Sequence, residues 1–146
     1  MFKFDMEAVL DYRVQIEEQC QLAFSNAVKC LQSARVVLAE LQKERNELIR
    51  NFTKIQGKAL RADVIQRHFA FIEYLKGNEE EQMTVIRKME EEANEKRLLL
   101  LDAMKKRKVM DTLREKKMVT YLEDMAAKDR KEQDDLAIMK FGNGVK

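Results

Sequence analysis

The sequence has no proline and only four glycines, Gly57, Gly77, Gly142 and Gly144. Proline and glycine are the strongest local interrupters of regular structure. Their scarcity excludes a loop-rich or β-turn-rich fold and leaves one obvious place to turn, at Gly57, and one place for a weak point, at Gly77. Tryptophan is absent and there is a single histidine, His68. No long apolar run exists either: a notable one, Leu98 to Leu101, is only four residues, whereas a membrane span needs about 20 residues. The N-terminus carries Asp5, Glu7 and Asp11, not the charged-then-apolar order of a signal peptide. A cytosolic chain with no direct membrane insertion is expected. Cys20 and Cys30 fit a reducing compartment, because ten residues along one helix separate them by about 15 Å.

What is present is charge, at 37% of residues, beside an apolar share of 45%. That much charge cannot enter a compact core, but a thin seam along extended helices satisfies both figures. The fold expected is all-α, a long antiparallel two-helix coiled-coil hairpin whose second helix is longer and projects at its C-terminal end. Its net charge of +2 implies no bulk electrostatic partner. Locally, residues 79 to 95 carry seven Glu against Arg87 and Lys88, and 105 to 117 carry Lys105, Lys106, Arg107, Lys108, Arg114, Lys116 and Lys117 against Asp111 and Glu115. These stretches read either as solvated faces in i, i+4 pairing or as a basic docking strip for an acidic partner.

Periodicity defines the helices. Leu31, Ala34, Leu38, Leu41, Arg45, Leu48, Phe52 and Ile55 alternate three and four apart, a heptad rhythm interrupted only by Arg45. Val9, Ile16, Cys20, Ala23 and Ala27 continue it toward the N-terminus. Helix one is expected over 5–56, followed by a turn at 57–62. Asp63 with Gln66 resembles a capping box, so helix two is expected over 63–139, with a disordered tail at 140–146. Gly77 is expected to sit inside that helix, because a mid-helix glycine costs only about 1 kcal/mol. The second seam, Ile86, Ala93, Leu100, Met104, Met118, Tyr121 and Met125, is looser. Folding back makes paired residue numbers sum to about 120 at equal rise per residue, placing Leu48 near Phe71 or Ile72 and Val9 near Met110. The segment from 116 to 139 should then extend beyond its partner and carry an unpaired apolar stripe, the mark of a helix-in-groove ligand. A break at Gly77 would bring the two ends level.

No constellation for chemistry emerges. There is no phosphate loop, no CxxC and no plausible nucleophile and base, so an enzyme is not expected. His68 reads as a surface or seam residue. The acidic triplets Glu79 to Glu81 and Glu90 to Glu92 lack the alternating ligands and glycine of a calcium loop, so no metal or cofactor is expected. Nucleic-acid binding is disfavoured, since no aromatic platform accompanies the basic stretch.

The opening Phe2-Lys3-Phe4, with Met6, Val9-Leu10, Arg13 and Glu17-Glu18, resembles the start of the FliJ family of flagellar export proteins. Arg107, Leu113, Lys116-Lys117, Tyr121, Glu132-Gln133, Asp134-Asp135 and Ala137 follow the order that closes its chains. The resemblance covers residues 2 to 141. Where FliJ chains often carry aromatic residues near the end of helix one, this sequence has Arg45 and Leu48. The resemblance implies a stalk-like coiled coil that works with a hexameric flagellar export ATPase and its regulator, contacts the membrane export gate protein and escorts export chaperones. It places the chain in the cytoplasm, peripherally associated with the inner membrane at the flagellar base, as a part of flagellum biogenesis, type III secretion and motility. A monomer is expected when the chain is free. Candidate ATPase contacts are Arg13, Arg107, Arg114, Lys116, Lys117, Tyr121 and Met125. Candidate export-gate contacts are Leu41, Arg45, Leu48, Phe71, Tyr74 and Leu75. The alternatives are the stalk of a virulence-type secretion system and a generic coiled-coil scaffold or adaptor.

Overall fold

A computed structural model describes residues 1–55 and 61–144, without the side chains of residues 143 and 144. Two α-helices account for nearly all of it, α1 over Glu7–Ile55 and α2 over Ala62–Gly144. The expected helical hairpin is found, with the second helix much the longer. Gly57 and most of the proposed turn lie outside the described residues. The backbone amides of Val64 and Ile65 donate to the Arg61 carbonyl at 3.1 and 3.2 Å, so α2 starts one residue before Asp63. Asp63 is therefore a first-turn acid, suited to the helix dipole, and its carboxylate accepts from Arg67 at 3.4 Å. At the other end α2 continues past the expected boundary at 139 to Gly144.

Gly77 lies within α2 with no positive φ, so the helix runs through it as expected. A Cβ added there would meet nothing within 4 Å. Gly77→Ala should therefore stabilise the chain by about 0.5–1 kcal/mol, the helix-propensity difference at an exposed interior site. Urea unfolding followed by far-UV circular dichroism checks this, and a lower midpoint would mean that the glycine serves a bend.

The chain divides into two compact units to which both helices contribute. One comprises Gln19–Leu101, the end of α1 and the beginning of α2 running antiparallel. Its core is a thin seam in which Leu31, Ala34, Ile86 and Ala93 are buried, with Ala27, Leu38 and Met89 packed against them. Phe52, Ile72 and Leu75 are buried nearer the chain reversal. Phe52 meets the rings of His68 and Phe69 at centroid distances of 5.3 and 5.4 Å, which makes His68 a seam-edge residue.

The other unit comprises Met1–Glu18 and Asp102–Lys146. Phe4, Leu10 and Met110 form its core, with Phe2, Val14 and Leu113 against them. The seam position expected for Val9 belongs to Leu10, and Val9 is exposed. On α2 the buried positions are Ala103 and Met110, while Met118 and Met125 are exposed, as expected of apolar residues on the segment from 116 onward. Leu100 and Tyr121 keep their expected places, but between them the buried position is Ala103 and not Met104, which is half-buried: either three or four residues after Leu100 suits the heptad, and the α1 partner decides.

Candidate functional site

In the unit containing both chain ends, residues 1 to 6 precede α1 and form a plug. The Glu7 amide donates to the Phe4 carbonyl at 3.1 Å, and the Val9 and Leu10 amides donate to the Met6 carbonyl at 3.0 Å. This turn directs Phe4 into the seam, where Lys117 Nζ stands 5.8 Å from its ring centroid. Phe2 lies against Tyr121 with centroids 5.5 Å apart. Pairing therefore reaches Tyr121, beyond the expected limit at 116, because the non-helical segment covers α2 where α1 has ended. From Leu122 through Gly142 every residue of α2 is exposed.

The seven candidate ATPase contacts all fall in this unit but differ in availability. Arg107 donates through Nε to Glu17 and through Nη1 to Asp111, the latter at 2.7 Å. The Glu17 hydrogen bond, then that of Asp111, raises its pKa above the ordinary arginine value, so it stays charged and bound within its own chain. Arg114 reaches Glu7 at 3.2 Å, a half-exposed pair of modest worth. Arg13 stacks over the neighbouring Tyr12, with Cζ 5.9 Å from the ring centroid. Lys116 and Met125 are exposed, and Lys116 borders a shallow groove with Lys108, Val109, Thr112 and Leu113.

Arg107 and Glu17 give a testable separation of roles. Arg107→Glu alone gathers three carboxylates in the seam and should lower the thermal midpoint of the chain. Combining it with Glu17→Arg should restore most of the loss, because the exchanged charges again face each other across the helices. Differential scanning calorimetry of the two variants reads this directly.

The six candidate gate contacts fall in the Gln19–Leu101 unit. Leu75 is only 2% exposed and is a core residue. Arg45 donates through Nε to Glu79 at 2.7 Å, with the two side chains 26% and 8% exposed. Leu41 and Leu48 are half-buried along the seam. Phe71 and Tyr74 are different: their rings stack at 6.1 Å and 22°, and both remain open to solvent. Phe69 is also exposed but belongs to another face of α2, where its ring meets Phe52. Glu79 was missed as a seam residue, since its neighbours Glu80 and Glu81 make it look like one of a solvated triplet. Among the described residues no cluster of His, Cys, Asp or Glu could hold a metal ion. No described helix is long and apolar enough to cross a membrane.

The family model described as flagellar FliJ protein matches residues 2–146. Among curated proteins, none matches the chain in sequence. Among solved structures, CT670 of Chlamydia trachomatis, described as a YscO homologue, is similar over 95% of this chain and 94% of its own, with a TM-score of 0.54 and 19% identity. At that identity the likeness shows a shared fold.

Proposed function

Because the chain belongs to the FliJ family, a group of coiled-coil proteins related to type III export, we propose that it is a stalk-like part of the flagellar export apparatus. It couples the hexameric export ATPase to the membrane export gate and escorts empty export chaperones. The family match over residues 2–146 carries the reading. The distribution of exposed groups supports it, since each unit offers a separate docking element.

The ATPase side is assigned to the unit with the chain termini, through Arg13, Lys116, Lys117, Tyr121, Met125 and the helix beyond. Arg107 and Arg114 shape this surface from within by holding α2 to Glu17 and Glu7. The gate side is assigned to the Gln19–Leu101 unit, where the exposed Phe71 and Tyr74 supply apolar area that the seam does not use. Leu41 and Leu48 border it, and Arg45 and Leu75 hold it in place. Aromatic pairs of this kind are favoured contact residues because they bury much area with little entropy loss. Loss of flagellin secretion in a strain lacking the chain tests the whole assignment. Neighbouring genes for flagellar basal-body parts rather than needle-complex parts separate it from the virulence-type reading.

A further inference from the structure

Each unit carries one interhelical ion pair within its seam: Arg45 with Glu79 at 2.7 Å in the Gln19–Leu101 unit, and Arg107 with Glu17 in the unit containing both chain ends. The four side chains are half-buried or buried. They stand in heptad rows that otherwise bury apolar residues, Leu31 and Phe52 on α1, Ile86 and Leu100 on α2. Glu17 and Arg45 are four heptads apart on α1, and Glu79 and Arg107 are four heptads apart on α2. Both helices read acid first and base second, so the four charges match only when the helices run in opposite directions.

This pattern discriminates among ways of pairing. Aligning α1 and α2 in parallel along the same rows sets Glu17 against Glu79 and Arg45 against Arg107. Parallel copies of one helix oppose like charges in the same way. In an antiparallel hairpin slipped by one heptad, Arg45 would face Ile72 or Ile86, and Glu79 would face Leu38 or Phe52. A charge left in an apolar seam without its partner is strongly unfavourable. One rival does satisfy the charges: antiparallel pairing of α1 with α1 of a second copy, which sets Glu17 against Arg45. The short connection between Ile55 and Ala62 decides against it, because a short tether holds the intramolecular partner at an effective concentration on the order of millimolar.

We propose that the two ion pairs are a direction and register code, which keeps the free chain a monomeric hairpin of one alignment. Replacing a buried pair by apolar residues is often neutral for stability, so stability does not account for these charges, whereas exclusion of the alternatives does. The apolar rows alone discriminate poorly. Ile72, Ile86, Ala93 and Leu100 recur at multiples of seven, so a slip of one heptad again sets apolar residues against apolar residues. The code acts in the free chain, whatever partner the chain serves.

The test uses the purified full chain in a Cys20→Ser, Cys30→Ser background, with nitroxides attached through Val37→Cys and Val85→Cys, both exposed positions. Double electron–electron resonance reads the distance between the labels, and sedimentation equilibrium reads the mass. With the seam unaltered, one narrow distance and the mass of one chain are expected. Exchanging the charges of α1 alone, Glu17→Arg with Arg45→Glu, destroys the match with α2 but keeps that between two copies of α1. The narrow distance should be lost and the mass should rise to two chains or more. Adding Glu79→Arg with Arg107→Glu should restore the monomer and its distance. Removing all four charges, by Glu17→Leu, Arg45→Met, Glu79→Leu and Arg107→Met, should preserve helicity by circular dichroism but add dimer or a population slipped by about 10 Å, one heptad of rise. A monomer of unchanged distance after the α1 exchange, or no recovery after the second exchange, overturns the inference. So does a charge-free chain that keeps the single distance and the monomer mass, since the apolar seam then sets the register. Unfolding of the charge-free chain overturns it as well, because the pairs would then serve stability.

Discussion

Arg45→Met should lower the stability of the Gln19–Leu101 unit by about 2–3 kcal/mol, somewhat below the usual cost of orphaning a buried charge. The reason lies in Glu79, whose side chain is 8% exposed and whose partner is Arg45 at 2.7 Å. Methionine preserves the length and much of the packing of arginine but leaves the carboxylate desolvated and unpaired. The cost stays below the full buried-pair value because the Arg45 side chain is 26% exposed, so water can reach part of the site. Arg45→Met combined with Glu79→Leu removes both charges and should recover most of the loss, since an apolar replacement of a buried pair is often neutral or better. Urea unfolding monitored by circular dichroism distinguishes these outcomes. Equal loss in the single and double variants would mean that arginine contributes through its aliphatic packing and not through its charge.

Leu75→Ala should cost about 2–4 kcal/mol, because it removes a side chain that is 2% exposed and leaves a gap in the seam. A two-helix seam has no second layer to close over the gap. Its neighbour Phe71 makes the contrast useful: being 43% exposed, it should tolerate Phe71→Ala with a change within about 0.5 kcal/mol. Thermal unfolding of the two variants measures both. If Phe71→Ala unfolds the unit as readily as Leu75→Ala, the aromatic stack is part of the fold and is not free for a partner. Secretion defects at Leu75 therefore report folding, whereas those at Phe71 report docking.

Much of this architecture was readable from residue spacing. The heptads of α1 identified Leu31, Ala34 and Phe52, and those of α2 identified Ile86, Ala93 and Leu100, all of them buried. Helix continuity at Gly77 followed from the strong helix formers on either side. The remainder depended on relations between distant residues. Arg45 was visible as an interruption, but Glu79 could be identified as its partner only once the two helices were in register. The same dependence explains the one-residue displacement from Val9 to Leu10, since both fit the period and the choice is made by Met110 across the seam.

The candidate sites were legible to a different degree. Their residue types pointed to surfaces, yet sequence alone could not distinguish an available charge from one already held. Arg107 is tied to Glu17 and Asp111, and Leu75 is core, while Lys116, Met125, Phe71 and Tyr74 remain open. The segment from Phe2 to Met6 carried no helical period, so its covering of α2 as far as Tyr121 left no periodic trace in the sequence.

The central claim is that this chain serves flagellar export, and secretion itself tests it most directly. A strain lacking the chain should release little flagellin into the medium and swim poorly, with both restored by the full chain supplied in trans. Normal flagellin release and normal swimming in that strain would contradict the account.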